Sequence, residues 1–458
     1  MEKKNNTLMT EGSIWRKMVY FAIPLILGNL FQQLYNTVDS IIVGNFIGSE
    51  ALAAVGASSS IINLLIGFCI GASAGAGVVI SQFFGAQDKE GVRKAVHTTE
   101  AIAMGAGVIL TIAGIILTPW ILRMMGTPAD VFDQAAQYLQ VYFGGIVFSV
   151  IYNMSAGILN AVGNSKRSLV YLMIAAVSNI FLDLLFVVVF RMGIVGAALA
   201  TDISQLLSCI FILRFLMKTD RIYQVRLRDI RLYDHLFSRI VKIGLPTGIQ
   251  NIVISFSNVI VQSSVNSFGA VAMAGFAAYI KIDGFNILPV LSIGMAATTF
   301  AGQNVGAGKY DRVKRGMYVS VGMGVAYTIV TGILLLLFAP QVIRVFSSEQ
   351  DVVACGVYIM KFFCPFYWML GILQVLAGTI RGTGKTLQTM LVFLFSLCIF
   401  RVAWIGICLS ISHEMFWLMA AYPASWLAGA IMILLYAWKG KWMPADYYRE
   451  RIQERNQE

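Results

Sequence analysis

Two aspartates stand where charge is costly. Asp39 lies within "QQLYNTVDSIIVG", and Asp183 interrupts "SNIFLDLLFVVVF". An ionisable side chain near a bilayer centre costs about 2.5–3.5 kcal/mol on insertion scales, so such a residue is read as functional by default. Asn179 precedes Asp183 by four residues and shares its helix face. Thr201 sits in "AALATD", among small residues that permit close helix approach. Asp39, Asn179, Asp183 and Thr201 together supply the oxygens a hard cation needs. Burial also disfavours the charged form of a carboxylate, so the same groups could instead carry a proton. The competing reading makes Asn179 and Asp183 a hydrogen-bonded pair that fastens helices.

Other polar residues share these apolar surroundings. Gln33, Tyr35, Asn36 and Asn153 in the first half of the chain, and Gln250, Tyr279 and Tyr367 in the second, are candidate linings of a substrate cavity. In "AAYIKIDGFNILPV", Lys281 and Asp283 are two residues apart and face different directions on a helix. Asp283 has two readings: an ion pair with Arg401, or attraction of a cationic drug. Pro24 removes a backbone hydrogen bond and should kink its helix. The many methionines are read as core fillers.

These residues need a membrane around them. Of 458 residues, 58% are hydrophobic and 12% charged, against about 25% charged in a soluble protein. About twelve apolar segments are long enough to span a bilayer. The polar amino terminus leads into a span without a small-residue cleavage site, so a removed signal peptide is not expected. Lys and Arg concentrate in alternate loops, at Lys89, Arg93 and Lys94, at Lys166 and Arg167, from Arg214 through Lys242, from Lys309 to Arg315, and at Arg381 and Lys385. The intervening loops hold Arg123, Arg191 and Arg344. This asymmetry puts both termini in the cytoplasm and accounts for the net charge of +11 without nucleic acid. The six cysteines lie in apolar segments without CxxC spacing, and the three histidines are scattered. Disulfides and a metal centre beyond a bound Na⁺ are therefore not expected. "GAGKYDRVKR" and "RGTGKT" do not meet the phosphate-loop pattern, so no nucleotide or other cofactor is expected.

The chain repeats itself. "NFIGSEALAAVGA" aligns with "NSFGAVAMAGFAA", "SQFFGAQDKEGVRK" with "GQNVGAGKYDRVKR", and "GILNAVGNS" with "GTIRGTGKT", all offset by about 221 residues. Polar loop motifs do not repeat at one offset by accident. Pro24 and Asn29 match Pro246 and Asn251 one residue off that register. The expected organisation is an all-α integral membrane protein of twelve helices in two pseudo-symmetric six-helix lobes. Residues 1–213 form the amino-terminal lobe, 214–239 a solvated cytoplasmic linker, 240–438 the carboxy-terminal lobe and 439–458 a cytoplasmic tail. Parallel repeats that rock about a midplane site are a transporter design.

The motifs "IPLILGNLFQQLYNTVDSIIVG", "SQFFGAQDKEGVRKA", "GILNAVGNSK", "SNIFLDLLFV" and "GIVGAALATDISQ", in this order and duplicated, resemble those of the multidrug and toxic compound extrusion (MATE) transporters along nearly the whole chain. The resemblance implies a V-shaped cavity between the lobes and export of drug-like compounds driven by inward Na⁺ or H⁺. It places the coupling cation at Asp39, Asn179, Asp183 and Thr201, and lets span one flex at Pro24. Spans seven and ten carry no acid, unlike the NorM-like branch, which favours a DinF-like arrangement. The expected protein is not an enzyme but a monomeric antiporter in a bacterial plasma membrane, exporting amphipathic, cationic organic compounds by alternating access. The alternatives are a lipid-linked oligosaccharide flippase of the same superfamily and a non-transporting membrane protein.

Overall fold

A helix satisfies its own backbone, which is why an apolar chain in lipid folds into helices. The computed structural model describes residues 8–455. The first residues of the polar amino terminus and the last of the expected 439–458 tail lie outside them. Among the described residues there are no strands, and 12 helices are long and apolar enough to cross a membrane. They are α1 (Ile14–Phe46), α2 (Glu50–Gly85), α3 (Lys89–Met124), α4 (Ala129–Ala161), α5 (Ser165–Val189), α6 (Gly193–Lys218), α7 (Asp234–Asn266), α8 (Ala270–Gly306), α9 (Tyr310–Leu337), α10 (Gln350–Gly382), α11 (Thr386–Ile411) and α12 (Met415–Lys439). A polar helix, α13 (Ala445–Arg455), follows.

The repeated loop motifs encode turns. Gly48 and Gly269, Gln87 and Gly308, and Gly163 and Gly384 all adopt positive φ. Each pair stands at the same offset as the repeated motifs. These left-handed residues reverse the chain after α1 and α7, α2 and α8, and α4 and α10. Gln87 does so at φ 57°, a conformation that costs a non-glycine residue more.

The chain divides into two compact units, Pro24–Gly248 and the described residues up to Ile23 together with Ile249 onward. The boundaries fall inside α1 at Pro24 and inside α7 two residues after Pro246, not in the 214–239 segment. In the first unit α4 is central, packing on α2, α3 and α6. In the second, α8 and α10 are central, and α10 makes a tight turn at Cys364–Phe366, where Pro365 interrupts its hydrogen bonding.

The segment expected to be a solvated linker is mostly exposed or half-buried but makes several anchoring contacts. Tyr223 and Val225, two residues apart, are buried. The Arg226 N–H donates to His97 Nε2 at 3.0 Å, Arg93 pairs with Asp229 at 2.6 Å, and Arg239 donates to Gln82 Oε1. Beside Arg93 the Asp229 carboxyl is held below the usual carboxylate range, so this pair persists at neutral pH.

The second unit holds its own strap. The Met9 N–H donates to Gln303 Oε1 at 2.8 Å, Lys309 Nζ donates to the Thr10 carbonyl at 3.0 Å, and Arg312 donates to the carbonyls of Met9 and Gly12. Gln82 and Gln303 are matched positions of the repeat. Thus each unit clasps the chain just ahead of a helix, α1 or α7, whose remainder belongs to the other unit. Replacing Arg312 with Ala should loosen the 8–12 strap. Hydrogen bonds to a charged donor contribute about 1.5–3 kcal/mol, so amide exchange in that segment should rise by about tenfold or more. Unchanged protection by hydrogen exchange would show that the strap is held by other contacts.

Candidate cation and substrate sites

Three helices of the first unit bring the predicted cation ligands together. Asp39 comes from α1, Asn179 and Asp183 from α5, and Thr201 from α6. Asn179 Nδ2 donates to Thr201 Oγ1 at 3.4 Å, and Thr201 Oγ1 in turn donates to the Ala197 carbonyl. Asp39 and Asp183 are neighbouring carboxylates within electrostatic reach of each other. Immediately after Asp183, α5 widens into a π-helical turn at Leu184–Val189. Such turns are rare and frequently mark functional sites.

Unsatisfied oxygens define the chemistry. Asp183 is fully buried and Asn179 nearly so. Both carboxylate oxygens of Asp183, and Oδ1 of Asp39, Oδ1 of Asn179 and Oε1 of Gln205, have no hydrogen-bond partner among the described residues. Buried polar groups are normally paired. All five oxygens are acceptors, and one ionised carboxylate cannot satisfy another. The set lacks a positive partner, which a proton or a hard, oxygen-seeking cation would supply. The residues therefore fit Na⁺ or H⁺. The fastening reading has no bond to rest on, because Asn179 donates to Thr201 rather than to Asp183.

Several buried or partly buried polar residues of the first unit were not singled out in the sequence, and one that was lies beside the site. Tyr35, a predicted cavity residue, lies beside Gln32 and Gln205 and within electrostatic reach of Asp39 and Asp183. Asp202 packs against Gly145 of α4, where an added Cβ would stand 2.1 Å from its Cγ. Glu100 of α3 is buried and accepts from Ser155 Oγ at 2.7 Å. Gln205 stands one helical turn from Thr201, and Asp202 and Glu100 are acids inside apolar spans. The rules that selected Asn179 and Asp183 apply to all three.

The remaining predicted lining residues separate. Asn36 is exposed and Gln33 half-buried on α1; their main-chain carbonyls accept from Ser40 and Thr37. Asn153 Nδ2 turns back to the Ser149 carbonyl at 2.8 Å. In the second unit Gln250 is buried with Oε1 unpartnered. Tyr279, Asp283 and Tyr367 form a chain of hydrogen bonds. Tyr367 O–H donates to Asp283 Oδ1 at 2.8 Å, and the two tyrosine hydroxyls are 2.8 Å apart.

The expected ion pair between Asp283 and Arg401 is absent. Among the described residues the ion pairs are Arg93–Asp229, Lys94–Glu90 and Arg449–Asp446. The Tyr367 hydroxyl takes Asp283 instead. Arg401 is held by Ser425 Oγ at 3.0 Å and by the face of Tyr422, 4.4 Å from its guanidinium carbon.

Comparison with known proteins gives the same architecture. The MatE family model matches twice, at residues 24–185 and 246–405, one copy for each half of the internal repeat. The chain is 31% identical over 404 residues to the probable multidrug resistance protein YpnP of Bacillus subtilis, covering 87% of this chain and 90% of that protein. It is 30% identical to the probable multidrug resistance protein YoeA of the same organism, covering 96% and 98%. Its fold matches an outward-facing structure of a multidrug resistance MATE family transporter of the MOP superfamily. That match has a TM-score of 0.88 and 24% identity, over 95% of this chain and 97% of that one. With two copies of the family model, each carrying half of a twelve-helix membrane fold, the chain belongs to the MatE (multidrug and toxic compound extrusion) family.

Proposed function

We propose that this protein is a secondary antiporter that exports amphipathic, cationic organic compounds by alternating access, in exchange for inward Na⁺ or H⁺. The cluster of buried acceptor oxygens around Asp183 carries the reading. A fixed negative site inside the membrane favours one conformation when filled and another when empty, since a ligand shifts an equilibrium only through differential affinity. Asp39 and Asp183 supply the charge. Asn179, Thr201 and Gln205 supply neutral oxygens, and Pro24 allows α1 to bend as the site fills. Relatives named as multidrug resistance proteins support the substrate class. The Lys/Arg asymmetry supports a plasma-membrane protein with both termini in the cytoplasm. A monomer suffices, with no nucleotide or other cofactor, because an ion gradient supplies the energy.

The test is dye efflux from proteoliposomes with each gradient imposed separately. Efflux should follow an inward gradient of Na⁺ or of H⁺ and stop when that gradient is collapsed. Efflux indifferent to both gradients would overturn ion coupling. No movement of any amphipathic cation would overturn drug export.

A further inference from the structure

One contact of the first unit depends on a single proton. His97 lies two turns into α3 and is 1% exposed. Both of its ring nitrogens are engaged. Nδ1 is 2.7 Å from the Arg93 main-chain carbonyl oxygen, and Nε2 accepts the Arg226 main-chain N–H at 3.0 Å. A carbonyl oxygen can only accept, so Nδ1 carries the ring proton. A backbone N–H can only donate, so Nε2 carries none. Together the two contacts admit one form of the ring, the neutral Nδ1–H tautomer. An imidazolium keeps the bond to Arg93 but turns Nε2 into a donor facing another donor. The contact matters because it is a long-range one. It ties the chain between α6 and α7 to α3, beside the Arg93–Asp229 pair and the Val225 N–H that donates to the Leu216 carbonyl.

We propose that His97 is a pH-sensitive latch on the chain between α6 and α7: neutral, it anchors that chain at Arg226, and protonated, it lets Arg226 go. The proposal goes beyond the export reading and stands without it. Histidine is the side chain whose ordinary titration falls between about pH 5 and pH 8. The charged groups near His97 are few. On α3 they are Arg93 and Lys94 on the turn before and Glu100 on the turn after. On the anchored chain they are Arg226 and Asp229, and Asp229 lies within electrostatic reach of the ring. The end of α6 beside that chain carries Arg214 and Lys218, while the adjoining ends of α2 and α4, "SQFFG" and "SAGILNA", have no ionisable side chain. Neither acid is hydrogen-bonded to the ring. Glu100 accepts from Ser155, and Asp229 pairs with Arg93. Asp229 draws an added ring charge and the arginines oppose it, but none of them replaces the acceptor that the Arg226 N–H loses. Arg226 is exposed, so its freed N–H turns to water, and the anchored residues become free loop.

Amide exchange of the purified full-length protein is the measurement, at about pH 5.5 and about pH 7.5, each corrected for the intrinsic chemical rate at that pH. Loss of one acceptor should speed exchange around Arg226 by about tenfold at the lower pH. The strap at 8–12 is held without a histidine, so its corrected exchange should not change. His97→Gln keeps a side-chain oxygen but cannot titrate, and the pH difference around Arg226 should vanish in it. His235, in the first turn of α7, is the other histidine close in sequence, and His235→Gln should keep the difference. The Arg93–Asp229 pair does not compete as an explanation, because that carboxyl is held below the usual range. Equal corrected exchange by the parent at both pH values overturns the latch. A pH difference that survives in His97→Gln overturns it too, as does one that disappears in His235→Gln. Where His97→Gln does not accumulate folded, the parent and His235→Gln still decide: no difference in either one overturns the proposal.

Discussion

Asp183→Asn abolishes ion-driven efflux while leaving the protein as stable as the parent or slightly more so. The two halves of that result have one cause. Asp183 is fully buried and neither of its oxygens has a partner among the described residues. An unpaired buried carboxylate weakens a fold, and removing one charge from such a site is neutral or stabilising, by about 1 kcal/mol or more. Asn preserves the shape and one acceptor but can neither carry a proton nor neutralise a cation. Efflux per folded molecule should therefore fall to the level seen with no gradient imposed, while thermal stability is kept. Asp39→Asn should behave alike, because Asp39 is the neighbouring carboxylate and leaves Oδ1 unpartnered. Addition of the coupling ion should stabilise the parent and not the Asp183 variant. Near-normal efflux by folded Asp183→Asn would sink the coupling role, and a large loss of stability would restore the helix-fastening reading.

Much of this arrangement is legible in the sequence because a bilayer is a strict solvent. Span length, Lys/Arg asymmetry and duplicated loop motifs follow from few constraints, and the matched positive-φ residues show what those motifs encode. Asp39, Asn179, Asp183 and Thr201 stand out because each is polar within an apolar run. Charge partners are harder to read. Asp283 and Arg401 are the obvious ion pair by composition, yet Tyr367 reaches Asp283 first, and no spacing rule ranks a tyrosine on another helix above a guanidinium. The docked segment at 219–233 was hidden for a different reason. Averaged hydropathy over "RIYQVRLRDIRLY" reports its charges, whereas Tyr223 and Val225, two residues apart, are buried. The unit boundary is hidden as well. Sequence places it where polarity is greatest, but α1 and α7 each begin within one unit and continue in the other. Only the proline near each crossing point, Pro24 and Pro246, hints at the change.

Gly71→Ala and Gly75→Ala should each destabilise the protein by about 3 kcal/mol, the upper part of the usual range for overpacking. Both glycines lie on α2 where the first half of α7 crosses it. A Cβ at Gly71 would stand 2.3 Å from the Gly248 backbone nitrogen, and one at Gly75 would stand 2.3 Å from Gly244 Cα. The obstacles are backbone, so no rotamer change relieves them, and the helices must separate. Small residues spaced four apart are how membrane helices approach this closely. Gly56, on the same helix, has nothing within 4 Å of an added Cβ. Gly56→Ala should therefore be neutral or stabilising by about 0.5–1 kcal/mol, the ordinary benefit of Ala over Gly in a helix. Thermal unfolding of the three variants side by side is the measurement. Equal stability for all three would mean that α2 and α7 do not cross at these residues. The crossing has a functional consequence too. It ties the first half of α7 to the unit that carries Asp183, while the rest of α7 belongs to the unit that carries Asp283. Folded Gly71→Ala should accordingly lose more efflux than ion binding, since the ion ligands are untouched and the helix shared by the two units is displaced.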